Sequence, residues 1–320
     1  RMKMKNHIII SLLFLSVGLS QQEYNDNDLI KMDNGLWTVK FSDEPISGKI
    51  YSGFGEEGNL KKVYMGNIVN GKKGGKWVSY YHSTGKKIYE EYYKDGKRDG
   101  FYTFWYENGQ KKEEGTFKDG KANGLYTFWY KTGQKSWELT FKDGKKDGLF
   151  TKWRENGYKL FEETYKDGKR DGFYTFWYEN GYKKSVETYK DGKLDGLQIE
   201  WYETGEKWKE GYNVDGKPEG KWTFWWRNGQ KSMEAHFVDG LENGPIHRWY
   251  MNGQKSIEGT FKDGKLDGLQ TDWYRNGEKK SEGTYKDGKE DGLQTDWYEN
   301  GKKVWEGIYK NGKEDGLWTW

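Results

Sequence analysis

The chain has 320 residues, with 54 Lys and Arg against 51 Asp and Glu, no Cys and a formal net charge of +3. The lack of cysteine excludes disulfides, thiol nucleophiles and cysteine-based metal sites. The balanced charge gives no overall attraction to nucleic acid, so we predict no nucleic-acid partner. Leu, Ile, Val and Phe make up only about 17% of the chain, a level typical of disorder when net charge is also large. With 45 Gly, 25 Tyr and 18 Trp, we instead expect a fold built on aromatic rings and glycine turns.

The first twenty residues have the pattern of a secretory signal. Lys3 and Lys5 precede an apolar run over residues 8–19, which is too short to span a bilayer, and small residues near Ser20 suit signal peptidase. We therefore predict a cleaved signal peptide over residues 1–20 and a secreted or periplasmic protein. The alternative is an uncleaved membrane anchor, against which the shortness of the run argues.

Most of the remaining chain repeats every 24 residues, the signature of a repeat architecture. The glycine of an Asp-Gly motif, followed by Lys in all but one unit, recurs at this interval from Gly96 to Gly288. We expect residues 21–44 to be an N-terminal lead-in, 45–99 to form two divergent repeats, and 100–320 to form regular repeats, the last one truncated. A tryptophan recurs in register and is predicted to form a structural ladder: Trp105, Trp129, Trp153, Trp177, Trp201, Trp225, Trp249, Trp273 and Trp297.

Each unit is predicted to form two β-strands joined by glycine turns. Alternation places Phe101, Thr103 and Trp105 on one side of the first strand. Because that side stays constant along the array, we predict that it is the packed face and that the varying opposite side is exposed. The predicted exposed side carries a candidate binding face of aromatic residues: Tyr102, Phe104, Tyr106, Tyr126, Phe128, Tyr130, Tyr174, Phe176, Tyr178, Trp222, Phe224 and Trp226.

The return strand carries an aromatic residue before each Lys-Asp-Gly turn. We predict that this ring joins the tryptophan side, with Trp105 opposite Glu113 and Phe101 opposite Phe117. This register requires an odd number of loop residues. A three-residue loop, Asn108-Gly109-Gln110, with a left-handed glycine satisfies it, whereas the alternative two-residue Asn-Gly turn does not.

A single hairpin is marginal in water, so the units are expected to be stable only when they stack. The predicted fold class is all-β: an elongated, single-layer, twisted antiparallel sheet of stacked β-hairpin repeats with a 24-residue period. With strands about 4.8 Å apart, each hairpin adds roughly 10 Å to the sheet.

The unit DGKRDGFYTFWYENGQKKEEGTFK, residues 95–118, resembles the bacterial variant of the MORN repeat found in proteins of the YwqK antitoxin family. The resemblance covers roughly residues 45–320. It rests on three glycines, the Trp-Tyr pair, the Asn-Gly turn and the aromatic residue before the Lys-Asp-Gly turn. It implies stacked hairpins and a role in protein or membrane association, with self-association possible. The units depart from the pattern at Asn213, Lys221, Pro245 and His247.

Three patterns invite a chemical interpretation, and each has a simpler structural one. A periodic row of glutamates from Glu114 to Glu306 is interpreted as cross-strand pairing with lysines, because an active site requires one asymmetric pocket. His236 and His247 lie on neighbouring strands and are interpreted as substituted repeat positions. Turn pairs such as Asp143 and Asp147 resemble calcium loops, but a lysine lies between them. We predict no metal, no cofactor and no enzymatic activity.

Two classes of function remain. The first is a secreted or periplasmic scaffold for association with a protein or a cell-envelope component, such as a lipid headgroup. The second is a cell-wall or glycan-binding repeat protein, in which the aromatic face stacks on sugar rings. A further alternative is an antitoxin-like partner of a toxin, which fits poorly with export from the cytoplasm.

Overall fold

The structure is a computed structural model that describes residues 22–54, 61–316 and 319. The predicted signal peptide at residues 1–20 lies outside the described residues. The chain divides into two compact units, Arg1–Gly100 and Phe101–Trp320. Strands and turns make up nearly all of the described chain, which confirms the all-β fold of successive antiparallel hairpins.

The first unit combines the lead-in with the earliest hairpins. A 3-10 helix, Asp26–Asp28, follows the first strand, which pairs in parallel with the fourth, whereas the fourth, fifth, sixth and seventh strands pair antiparallel in sequence. Its strands are β1 (Glu23–Asn25), β2 (Leu29–Lys31), β3 (Trp37–Val39), β4 (Gly48–Phe54), β5 (Lys61–Val69), β6 (Lys72–Tyr80) and β7 (Lys87–Lys94).

The core of the first unit is aliphatic, unlike the rest of the chain. Ile50 and Ile68 are fully buried and pack with Ile46, Met65 and Trp77. The lead-in contributes half-buried residues to this cluster, among them Leu29, Trp37 and Val39. The lead-in therefore covers the first hairpins with apolar side chains, as terminal caps of repeat proteins do.

The second unit is an antiparallel sheet in which the hairpins lie side by side in the order of the chain. The strand β8 (Lys97–Trp105) begins in the first unit and ends in the second. The strands that follow are β9 (Lys111–Lys118), β10 (Lys121–Ala122), β11 (Gly124–Trp129), β12 (Lys135–Lys142), β13 (Lys145–Trp153), β14 (Lys159–Lys166), β15 (Lys169–Trp177), β16 (Lys183–Lys190), β17 (Lys193–Trp201), β18 (Lys207–Val214), β19 (Lys217–Trp225), β20 (Lys231–Val238), β21 (Leu241–Trp249), β22 (Lys255–Lys262), β23 (Lys265–Leu266), β24 (Gly268–Trp273), β25 (Lys279–Lys286), β26 (Lys289–Trp297), β27 (Lys303–Lys310) and β28 (Lys313–Glu314).

The Asp-Gly motif makes the tight turn between units. Lys166 and Lys169 face each other across β14 and β15, which leaves Asp167 and Gly168 as a two-residue loop. Both loop residues have positive φ, 51° and 90°, as a type I′ turn requires. Aspartate tolerates this left-handed conformation and glycine adopts it freely, which explains why the motif recurs.

The other hairpin has a register that differs from the prediction. The predicted pairs, transposed by one period, would place Leu125 opposite Phe141, but Leu125 lies opposite Thr140, and Thr127 opposite Glu138. The loop is also shifted: the Tyr130 amide donates to the Gln134 carbonyl, so the three loop residues are 131–133. The left-handed loop glycine is present as predicted, at φ 88°.

A β-bulge is the cause of the wrong register. Phe128 pairs with Trp137 and Trp129 pairs with Lys135, so Ser136 is an extra residue on the return strand. One extra residue moves every later side chain of that strand to the other face. The return aromatic therefore lies on the side of Tyr126 rather than on that of Trp129. We call the side of Leu125, Thr127 and Trp129 the tryptophan face, and the opposite side the tyrosine face.

Candidate functional site

The burial of the two faces contradicts the sequence prediction. In the candidate binding face, Tyr102, Tyr126 and Trp222 retain only 3%, 5% and 4% of their surface, so these three are core residues. By contrast, Phe101 and Leu125, predicted to be packed, are 72% and 53% exposed. The positions whose residue type stays constant from unit to unit are therefore not the buried ones, and the predicted face assignment was wrong.

Small residues on the return strand explain why the tyrosine face is packed. Gly115 lies between the rings of Tyr102 and Tyr126, and a Cβ atom there would be 2.8 Å and 2.9 Å from them. The rings lie over the glycine with centroids 5.4 Å apart, and Phe141 contacts Tyr126 at 4.8 Å. Rings from successive hairpins thus cover one another on this side of the sheet.

The residue after each ladder tryptophan has a structural role. The Tyr106 hydroxyl donates to the Trp129 carbonyl at 2.8 Å, and the Tyr130 hydroxyl donates to the Trp153 carbonyl at 2.9 Å. Tyr178 makes the same bond at 2.8 Å, and at the equivalent position the Trp226 indole nitrogen donates to a carbonyl at 3.0 Å. These residues link successive hairpins. The half-buried rings of Phe104, Phe128, Tyr174, Phe176 and Phe224 remain a predicted binding surface.

The tryptophan face carries the predicted ladder, and all nine of its rings are half-buried. In several units, the lysine that pairs with a ladder tryptophan reaches the tryptophan ring of the next unit: Lys159 Nζ is 5.5 Å from the Trp177 ring centre. The same lysine is 2.5 Å from the Glu162 carboxylate. The tryptophan face is therefore a ladder of rings covered by ion pairs.

The periodic lysine and glutamate pairs run along one strand, whereas the predicted cross-strand pairing occurs in only a few units, as between Lys221 and Glu234. Lys159 and Glu162 are three residues apart, a spacing that would put them on opposite faces of a regular strand. The bulge between them returns both to the tryptophan face. Lys255 and Glu258 repeat this arrangement at 2.9 Å. Exposed pairs of this kind contribute little each, on the order of 0.2–1 kcal/mol.

The residues considered for metal binding are used otherwise. Asp147 Oδ2 accepts from the Asp167 amide at 3.2 Å, so one turn caps the next. His247 lies opposite Glu234, not opposite His236. Over residues 22–54, 61–316 and 319, no three His, Cys, Asp or Glu side chains are grouped so that they could hold a metal ion.

A buried acidic network lies on the tyrosine face. Glu163, nearly inaccessible, accepts from Arg170 Nε at 2.6 Å and from the Tyr165 hydroxyl at 2.8 Å. One unit later, burial and then a hydrogen bond to Glu187 raise the pKa of Tyr189 to about 12. These groups hold the packed face together, because a buried carboxylate without its cation is costly.

A regular row of exposed apolar residues lies on the tryptophan face. Phe101, Leu125, Leu149 and Phe173 come from four consecutive units, and each is more than half exposed. Alternation along the strand predicts this row to be packed, and its exposure contradicts that prediction. We call these four residues the Leu/Phe row.

Lysines border the Leu/Phe row. Thr140 lies opposite Leu125, and Lys142, two residues further on, points to the same side and faces Lys145 across the turn. Lys166 and Lys169 repeat the pair in the next unit. The turn aspartates offset part of this charge. The row is therefore a narrow apolar band with exposed ammonium groups beside it.

Four segments of the chain match the family model described as MORN repeat variant: residues 98–119, 218–239, 266–287 and 290–313. Each begins a whole number of 24-residue periods after the one before, so the same hairpin is matched each time. This confirms the resemblance to MORN repeats, whereas a YwqK-type family and a bacterial source stay predictions.

No curated protein shows significant similarity to the chain. Two solved structures are similar over 88% of it at 10% identity: the crystal structures of TcdB2-TccC3-Cdc42 and of TcdB2-TccC3, each with a TM-score of 0.17. The chain spans about a fifth of those chains, 20% and 22% of their lengths. A TM-score this low does not indicate a shared fold. Among the described residues, no helix is long and apolar enough to span a bilayer.

Proposed function

We propose that this protein is a non-enzymatic repeat scaffold, exported from the cell, whose Leu/Phe row associates with a protein or with the surface of the cell envelope. MORN repeats generally take part in protein or membrane association, which is compatible with a scaffold. The observation that carries the proposal is the exposure of Leu149 and Phe173, 51% and 63%, beside Phe101 and Leu125 on one face. Regular apolar exposure of this kind is typical of interaction surfaces.

The chain itself supplies a substitution that should remove the row without unfolding it. Lys221 occupies the same repeat position, in a regular strand, and forms an ion pair with Glu234 at 2.8 Å. Replacing all four members of the Leu/Phe row with Lys therefore exchanges apolar contact for charge at a position that accepts lysine. The control variant carries Tyr158→Gln and Tyr182→Gln, two exposed loop positions where other units have Gln.

The assay is sedimentation with vesicles containing anionic lipid, in parallel with capture of envelope proteins on the immobilised protein. We expect the fourfold Lys variant to lose the interaction, although its positive charge is higher, and the control variant to keep it. Undiminished binding by the Lys variant would show that the row is not the contact surface. Export is tested separately through the first residue of the secreted protein. If residues 1–20 are cleaved as predicted, that residue is Gln21.

A further inference from the structure

A groove of about 580 Å³ crosses the tyrosine face near its loop edge, between the hairpins of Tyr202 and Lys280. Its floor includes a row of residues that pair across successive strands. Phe224 faces Met233, Met233 faces Arg248, Arg248 faces Ile257, and Ile257 faces Asp272. The groove therefore runs perpendicular to the strands.

The groove opens where two consecutive units carry a short residue at one repeat position, the bulged residue of the return strand. Where this residue is long, it covers the rings of its unit: Lys184 Nζ lies 5.5 Å from the Phe176 ring and 5.6 Å from the Tyr178 ring. In the two central hairpins of the groove, the bulged residues are Ser232 and Ser256. The residues equivalent to Phe176 and Tyr178 are Phe224 and Trp226 in the hairpin of Ser232, and Arg248 and Tyr250 in the hairpin of Ser256. A serine side chain is too short to cover them.

Long side chains at the same repeat position close the two ends. Trp208, whose ring centre lies 6.4 Å from that of Tyr202, lines one end, and Lys280 lines the other. Along the array, the groove therefore begins and ends where the bulged residue changes from long to short. None of the periodic motifs of the chain accounts for it.

The groove offers ring faces and cationic groups to a ligand. Three of its aromatic residues already use their polar atoms, since the Tyr202 and Tyr250 hydroxyls and the Trp226 indole nitrogen donate to backbone carbonyls. What the rings present is their apolar faces. Arg248 is exposed at the centre and Lys280 at one end, whereas Asp272 accepts from Ser281 at 3.0 Å.

Two further arginines lie over rings that line the groove. The Arg227 guanidinium is 5.4 Å from the Tyr202 ring centre, and that of Arg275 is 5.7 Å from the Tyr250 ring centre. Three of the seven arginines of the chain, Arg227, Arg248 and Arg275, thus lie within one stretch of 49 residues. The lining and its rim carry more positive than negative groups.

We propose that this groove binds a linear anionic polysaccharide, such as one containing uronic acid units. Apolar ring faces accommodate the C–H faces of sugars, and the guanidinium and ammonium groups pair with carboxylates. An extended peptide fits less well, because the strand backbones beneath are paired with their neighbours and offer no edge to which a peptide strand could add. The proposal is independent of the Leu/Phe row, which lies on the opposite face.

The test fills the groove without removing charge. Ser232→Lys and Ser256→Lys install the residue that the chain carries at Lys184. The first new side chain should cover Phe224 and Trp226, and the second Tyr250, while both add positive charge. The matched control is Ser136→Lys, the same change at the same repeat position outside the groove. Unchanged thermal unfolding verifies that each variant folds.

The full chain is titrated by calorimetry with a hyaluronan octasaccharide, a neutral chitin oligosaccharide of equal length and a dT oligonucleotide. We expect the hyaluronan fragment to bind most tightly. The double variant Ser232→Lys and Ser256→Lys should weaken its affinity at least about tenfold, and Ser136→Lys should leave that affinity unchanged. Equal binding by the filled variant, equal affinity for the neutral sugar or tighter binding of the oligonucleotide would each overturn the proposal.

Discussion

The close approach of Trp222 to Gly211 allows a quantitative test of the packing on the tyrosine face. A Cβ atom at Gly211 would lie 2.2 Å from Cδ2 and 2.3 Å from Cε2 of the buried indole. The ring also donates from Nε1 to the Tyr212 carbonyl at 3.1 Å, so it cannot move without losing that bond. Gly211→Ala should therefore displace a fully packed side chain.

The expected cost follows from two opposing effects. Forcing an extra carbon into a packed site costs about 1–3 kcal/mol, and replacing glycine within a strand returns about 0.5–1 kcal/mol. We expect a net loss of about 1–2 kcal/mol for Gly211→Ala. At the same position two units later, the nearest atom to a Cβ on Gly259 would be in the flexible Leu266 side chain, at 3.3 Å. Gly259→Ala should therefore be neutral or slightly stabilising.

Amide hydrogen exchange of β18–β19 and β22 measures both changes locally, which suits a repeat protein whose units open independently. The chain also contains its own rescue. Ala235 packs against Ile246, and both are almost fully buried. In a Trp222→Ile background, Gly211→Ala should therefore cost close to nothing. Equal losses at Gly211 and Gly259, or an undiminished cost in that background, would refute the packing argument.

Three other predictions concern hydrogen bonds and titration. Arg170→Gln should cost about 2–4 kcal/mol, since it leaves the Glu163 carboxylate buried without its cation, and urea unfolding should show a lower midpoint. Tyr250→Phe should cost about 1 kcal/mol by removing the bond to the Trp273 carbonyl, seen as faster exchange in β24 but not in β13. Because the raised pKa of Tyr189 favours its neutral form in the fold, its contribution to stability is complete below about pH 10 and is lost as pH rises toward 12. Tyr189→Phe should flatten this alkaline loss in a series of thermal melts.

The period, the strands and the turns could be predicted from the sequence because they depend on local chemistry. The Asp-Gly motif, as at Asp167 and Gly168, favours a left-handed turn in every repeat. Aromatic residues at alternate positions between two glycines favour a strand. Each repeat copies these signals, so agreement among the units strengthens a weak local preference. The predicted antiparallel hairpins were therefore confirmed.

The faces could not be read from alternation alone, because a single bulged residue inverts the return strand. Two signals for the inversion were present. Lys159 and Glu162 are three residues apart, and their pairing is possible only across a bulge. Glycine or alanine recurs on the return strand, as at Gly115 and Ala235, where a neighbouring large side chain needs room. The Leu/Phe row recurs from unit to unit although it is exposed, so recurrence did not indicate burial.

The placement of the Leu/Phe row in solvent is the claim on which the proposed association depends, and thiol labelling tests it directly. The chain has no native cysteine, so Leu125→Cys and Tyr126→Cys each provide a single reporter on adjacent residues of one strand. The structure predicts that the thiol at 125 reacts nearly as fast as a free thiol and that the thiol at 126 is strongly protected. Protection at 125 with rapid labelling at 126 would contradict the account and would restore the face assignment that alternation suggested.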